Sequence, residues 1–186
     1  MITKITVMKK ILWSLLASVA FTTLCQAQTD KGDWMVGGSF LINTSKRAPE
    51  VTATPSVGHF FANNLAFGGE MIISYNKIGV LKTTELGAGI FGRLYFNIKE
   101  SSFKPLIHTS FNVGSLRTKD TTGSITETVT GFILGAGGAF FINSNVAIDG
   151  LAGYSYKKVE NTPGGGGFLF RLGFQVHLLR REVGRN

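Results

Sequence analysis

Few residues in this chain have the means to do chemistry, and they lie far apart. Glu70, Arg93, Asp149 and Arg171 each stand singly among glycine, alanine, serine and apolar neighbours. Two carboxylates and two guanidinium groups in such surroundings must neutralise one another. An unpaired buried charge is very costly, and the guanidinium presents a fork that fits a carboxylate. The alternative is four independent, solvated charges. His59, His108 and His177 show neither metal-ligand spacing nor a nucleophile–base partner. Gly87-Ala88-Gly89-Ile90-Phe91-Gly92 spells a dinucleotide fingerprint, but that motif needs a following helix inside a βαβ unit, and none surrounds it. Gly164 to Gly167 lacks the Lys-Ser/Thr of a phosphate loop. No catalytic residue, cofactor or metal is therefore expected.

The elements that carry these residues are extended. Phe168, Phe170, Leu172, Phe174, Val176 and Leu178 alternate with Leu169, Arg171, Gly173, Gln175 and His177. The same period of two runs through Trp34–Ile42, Leu65–Tyr75, Leu86–Phe96, Ile107–Gly114 and Val146–Tyr156, and blurs only over about Val51–Phe61 and Glu127–Ile142. Such alternation marks strands with one apolar face. About eight strands of nine or more residues result, against ~5–6 in an ordinary soluble strand and the ~9–11 that cross a bilayer. The 24 glycines, many within the apolar segments, exclude a long-helix protein.

The connections alternate in character. Ala62-Asn63-Asn64, Asn97 to Ser102 and Asn143-Ser144-Asn145 are tight polar turns. Asn43 to Glu50, Asn76 to Thr84, Arg117 to Thr126 and Lys157 to Gly166 read as longer hydrophilic loops. Outer-membrane barrels have short periplasmic turns and longer outer loops. In lipid an open sheet edge is untenable, so a spanning sheet closes. The fold class expected is all-β, an eight-stranded antiparallel up-and-down transmembrane β-barrel.

The apolar set then faces acyl chains and the sparse polar set fills the bore. Trp34, Phe61, Tyr75, Phe96, Phe103, Phe141, Tyr154 and Tyr156 fall near strand ends, where interfacial girdles lie. A lipocalin-like barrel would invert the faces. Its exterior, however, would carry far more Lys and Glu than Glu70, Arg93, His108, Asp149, Arg171 and His177 among small residues. Within the barrel, Glu70 with Arg93 and Asp149 with Arg171 fall on neighbouring strands, so these are the two ion pairs expected to block the pore.

At the outer end Lys46, Arg47, Lys77, Lys82, Arg117, Lys119, Lys157 and Lys158 form a basic rim with fewer acids. Such a rim suits lipopolysaccharide phosphates or an acidic partner; the plainer reading is solubilising loops. The net charge of +8 does not imply nucleic acid, because no basic run or basic helix appears.

Ahead of the strands, Lys9-Lys10, the apolar run Ile11 to Leu24, and Cys25-Gln26-Ala27 are the three parts of a secretory signal peptide. The run falls short of the ~20 residues of a membrane anchor. The division expected is 1–27 signal peptide, cleaved after Ala27, and 28–186 barrel, with translation starting at Met1 or Met8. Loss of Lys4, Lys9 and Lys10 takes the charge from +8 to +5. Cys25 is the single cysteine and leaves with the leader, so the mature chain has no thiol chemistry. Leu24 before it is the wrong residue for a lipidation signal.

Pro55 to Glu70, in which a strand ends in Phe60-Phe61, turns on Asn63-Asn64 and returns through Gly68-Gly69, resembles a hairpin of the outer-membrane β-barrel domain family, the porin-like small barrels of the OmpA/OmpX type. Gly89 to Phe96 is similar to the fourth strand of that family. The resemblance covers about Gly32 to Leu179. It departs at the end: such barrels usually finish on an aromatic residue, whereas this chain runs on through Leu179-Arg180-Arg181-Glu182 to Asn186. The resemblance specifies fold better than function; together with the residues above, the expectation is a bacterial outer-membrane protein that is not an enzyme, has a structural or surface-interaction role and has a lumen plugged by its side chains. A narrow channel for ions or small solutes is the first alternative. An outer-leaflet lipid-modifying enzyme is a distant one, since the histidines lie in the strand halves nearer the short turns. Membrane lipid, lipopolysaccharide phosphates and an extracellular ligand or protein are the partners implied, with a monomer as the working unit.

Overall fold

The computed structural model describes residues 29–43, 50–99 and 101–178. Eight strands occupy nearly all of this: β1 (Trp34–Asn43), β2 (Glu50–Ala62), β3 (Leu65–Ile78), β4 (Leu81–Tyr95), β5 (Phe103–Lys119), β6 (Ser124–Phe141), β7 (Val146–Val159) and β8 (Gly165–Leu178). Each pairs antiparallel with its sequence neighbours. β1 then pairs with β8, from Trp34 opposite Leu178 to Leu41 opposite Arg171, and the barrel closes. Among the described residues there is no helix. The expected all-β, eight-stranded antiparallel barrel is the observed architecture.

The alternation read from the sequence is the alternation of the two walls. On β8, Phe170, Leu172, Phe174 and Leu178 are exposed on the outside, while Leu169, Arg171, Gln175 and His177 are buried in the bore. Phe67, Met71, Ile73, Ile90, Phe111, Leu134 and Ile148 continue the apolar belt round the barrel. Trp34 and Phe61 stand at one margin of it, and Tyr75, Tyr154 and Tyr156 at the other. Phe141 departs from the girdle: it is fully buried, and its neighbour Phe140 takes the outer wall. Two adjacent phenylalanines leave the parity of that strand end undecided in sequence.

Sheet ends at the termini side are tied by asparagine. Asn64 takes a positive φ of 67° in the β2–β3 turn. The Asn143 side-chain oxygen accepts from the backbone N–H groups of Asn145 and Val146 at 2.9 and 2.8 Å. At the other end the expected long loops between β3 and β4, β5 and β6, and β7 and β8 are shorter than the sequence suggested. β3 and β4 meet through Gly79-Val80 alone, with Gly79 at φ 61°. The strands themselves continue, β5 for 17 residues and β6 for 18. The cause is the solvent: where a strand rises out of the bilayer, its outer face turns hydrophilic, and in sequence that resembles a loop. Close packing of the walls uses glycine where side chains meet backbone. A Cβ on Gly137 would overlap the Gly150 carbonyl, and one on Gly166 would meet the Tyr154 hydroxyl lying across it.

Candidate functional site

The centre of the bore holds the four charges singled out above. Glu70 on β3, Arg93 on β4, Asp149 on β7 and Arg171 on β8 are each no more than 5% exposed. They are brought together, but the pairs are exchanged. Arg93 Nη1 lies 2.8 Å from Asp149 Oδ2. Arg171 Nη1 lies 3.4 Å from Glu70 Oε2. Each ion pair therefore spans the bore instead of bridging neighbouring strands. Register explains the correction for Glu70 and Arg93. Glu70 sits opposite Gly89, which leaves Arg93 four residues farther along β4, about 13 Å at the strand rise. Across the bore the long guanidinium side chains meet carboxylates directly.

Arg93 is held by more than Asp149. Its Nε donates to His108 Nδ1 at 3.4 Å and its Nη1 to the Tyr95 hydroxyl at 3.4 Å. His108 in turn stacks on Phe91, with ring centroids 5.7 Å apart and planes 25° from parallel. Ser110, Asn112 and Gln175 are buried in the bore as well. The guanidinium is thus fixed by a carboxylate, an imidazole and a phenol at once, as polar groups removed from water require.

Below this level, toward the termini, the bore is floored by aromatic rings. His177 packs against Phe141 at 5.0 Å, Phe60 at 5.7 Å and Tyr95 at 6.3 Å between centroids. Met35 and Leu106 complete a buried apolar cluster. Residues 29–33 then fold beneath the floor. Gly32 N–H donates to the Phe60 carbonyl at 2.8 Å, and Asn64 N–H to the Thr29 carbonyl at 2.7 Å. Lys104 Nζ donates to Thr29 Oγ1 at 2.7 Å and lies 5.8 Å from the Phe141 ring centre. Sequence reading missed this floor, having taken the inner face to be small and polar. Its signal was the doubled aromatics Phe60-Phe61 and Phe140-Phe141, one of each pair on either wall.

Above the quartet, Lys157 forms an ion pair with Glu85 across the bore, from β7 to β4. Lys157 therefore leaves the basic rim where it was expected: its parity on β7 matches Asp149, and it points inward. Ile72, Val129, Ile133 and Leu169 are also buried on the inner face. Side chains thus meet across the bore as ring, quartet and upper pair.

The remaining rim cations lie on strands rather than loops. Lys77 is on β3, Lys82 on β4, Arg117 and Lys119 on β5, and Lys158 on β7, all exposed. Lys46 and Arg47 lie outside the described residues, as do the expected signal peptide and the tail beyond Leu179. His59 is on the outer wall between Trp34 and Phe61, at 4.9 and 5.2 Å between ring centroids. Among the described residues no group of His, Cys, Asp or Glu is arranged to hold a metal ion.

With this geometry the chain has the fold of the small outer-membrane barrels. It is similar to Neisserial surface protein A, at 18% identity and a TM-score of 0.58, over 77% of this chain and 94% of that one. It is similar to the N-terminal β-barrel domain of Pseudomonas aeruginosa OprF, at 9% identity and a TM-score of 0.56, over 80% of this chain and 98% of that one. These neighbours are eight-stranded outer-membrane barrels, in keeping with the OmpA/OmpX-type resemblance read from the strands. No protein-family model and no curated protein matches the sequence.

Proposed function

We propose that this chain is an integral protein of the bacterial outer membrane whose barrel is a closed structural body, displaying its extended outer hairpins to the surroundings and passing no solute. The observation that carries this is the exchanged pair of ion pairs, Arg93–Asp149 and Arg171–Glu70, which cross the bore from opposite walls. A strut across the lumen occupies the path a solute would take. Eight strands in any case leave an interior just wide enough for side chains. The apolar belt outside supports the same reading.

In this reading the chain is exported with residues 1–27 as its cleaved leader and works as a monomer. Its partners are membrane lipid, lipopolysaccharide phosphates at the rim, and a ligand or protein met by the outer hairpins. It performs no chemical step. The test is permeability. Proteoliposomes carrying the folded barrel are placed in isotonic sugars and small amino acids, and swelling is followed by light scattering. A rate equal to that of empty liposomes supports a closed body. Swelling that falls with solute size would make the protein a narrow channel.

A further inference from the structure

The outer wall of β3, β4 and β5 carries a second feature, independent of the lumen. Register places Lys77 opposite Lys82, and Lys82 opposite Lys119. Three ammonium groups thus lie in one row across three adjacent strands. The next row down is Tyr75, Thr84 and Arg117, and the one below it Ile73, Leu86 and Ser115. All of these share the outward face. Lys82, Arg117, Lys119, Tyr75 and Leu86 line a single concavity of about 420 Å³ on this wall.

Like charges directly opposite on a sheet repel. Among the described residues no carboxylate forms an ion pair with Lys77, Lys82, Arg117 or Lys119; Arg117 reaches only the Ser124 hydroxyl, at 3.5 Å. The nearby acids are committed elsewhere. Asp120 Oδ1 accepts from Thr122 and Gly123 within its own turn. Glu85 points into the bore and pairs with Lys157. On β6 the same rows hold Ser124 and Thr126, so these rows of charge end at β5.

We propose that this wall is a seat for a phosphate of outer-leaflet lipopolysaccharide, with Lys82, Arg117 and Lys119 as its cationic ligands and Leu86 beneath the acyl chain. The occupant is a lipid because of what lies under the cations. Rows two residues apart are separated by about 7 Å, so within roughly 13 Å the surface passes from ammonium groups to the lipid-facing Leu86 and Ile73, 57% and 46% exposed. A dissolved anion matches only the upper part of that surface. A phosphorylated glycolipid matches both. The seat rests on the reading of this end as the outer one.

The test uses the full chain, extracted folded from outer membranes and delipidated in detergent. Native mass spectrometry then titrates it with bis-phosphorylated lipid A, with its dephosphorylated form, with phosphatidylglycerol and with inorganic phosphate. One lipid A is expected to bind. The triple variant Lys82→Gln, Arg117→Gln, Lys119→Gln is expected to weaken binding at least tenfold, and Lys99→Gln, an exposed cation at the short-turn end, to leave it unchanged. Unaltered binding by the triple variant, equal loss in Lys99→Gln, or equal binding of phosphatidylglycerol or inorganic phosphate would overturn the site. The triple variant's heat-modifiable gel migration establishes that it is folded. Recovery of the chain outside the outer-membrane fraction would instead overturn the location on which the site rests.

Discussion

Arg93 and Asp149 meet at 2.8 Å across the bore, from β4 and β7, two strands that share no ladder hydrogen bond. Their contact ties opposite walls of the barrel, and its energetics should show that. Breaking a buried pair by removing one partner costs about 3–5 kcal/mol, because the other charge is left uncompensated. Arg93→Met and Asp149→Leu should each lose that much in urea unfolding from lipid vesicles. The double variant should lose far less than their sum. The same cycle on Arg93 and Glu70 should give a much smaller coupling energy, since Glu70 belongs to Arg171.

The aromatic floor separates two adjacent residues. Phe141 is fully buried against His177, whereas Phe140 is 43% exposed on the lipid wall. Phe141→Ala should cost about 3–5 kcal/mol, the usual range for emptying a buried aromatic site. Phe140→Ala should cost clearly less. Equal losses in the unfolding titration would place both rings on the same wall.

The Lys157–Glu85 pair should matter little by comparison. The Lys157 side chain is 38% exposed, so water and salt screen it. Lys157→Gln should cost less than the ~3–5 kcal/mol of a central substitution, and raising the ionic strength should shrink even that. The central quartet should be insensitive to the same salt, as the unfolding midpoints of native and variant protein would show.

The β5–β6 turn should loosen in acid. Asp120 accepts from the Thr122 N–H and hydroxyl, both at 2.8 Å, and from the Gly123 N–H at 2.7 Å. These donors, the Thr122 N–H foremost, hold its carboxyl below the usual carboxylate range. A carboxyl depressed in the folded state favours the ordered turn above its ordinary pKa of about 3.9. That preference is lost as the pH falls through the depressed folded value. Amide exchange at Thr122 and Gly123, relative to the intrinsic rate at each pH, should rise as the pH falls from the ordinary value through the depressed one. Asp120→Ala should show the faster exchange above that window and converge with the native protein below it.

The walls were legible in the sequence because a bilayer imposes a strict two-residue period on β8, β3 and β5, and parity alone sends Arg93 and Arg171 inward. Three things were not legible. Pairing across the bore depends on register and side-chain reach, which alternation does not encode, so Glu70 was matched to the wrong arginine. Phe141 and Phe60 each have an aromatic neighbour, and where both faces are aromatic parity is silent. The outer hairpins looked like loops because a strand in water loses its apolar face, although Lys77, Lys82 and Lys119 still stand in register upon it.

Single-channel recording tests the central claim most directly. The folded barrel, verified by heat-modifiable migration, is inserted into a planar bilayer and current is followed under applied voltage. A bore closed by Arg93–Asp149 and Arg171–Glu70 should give no discrete steps. The variant with all four residues replaced by alanine, if folded, should give them. Steps of uniform size from the native protein would contradict a closed lumen and make the protein a channel.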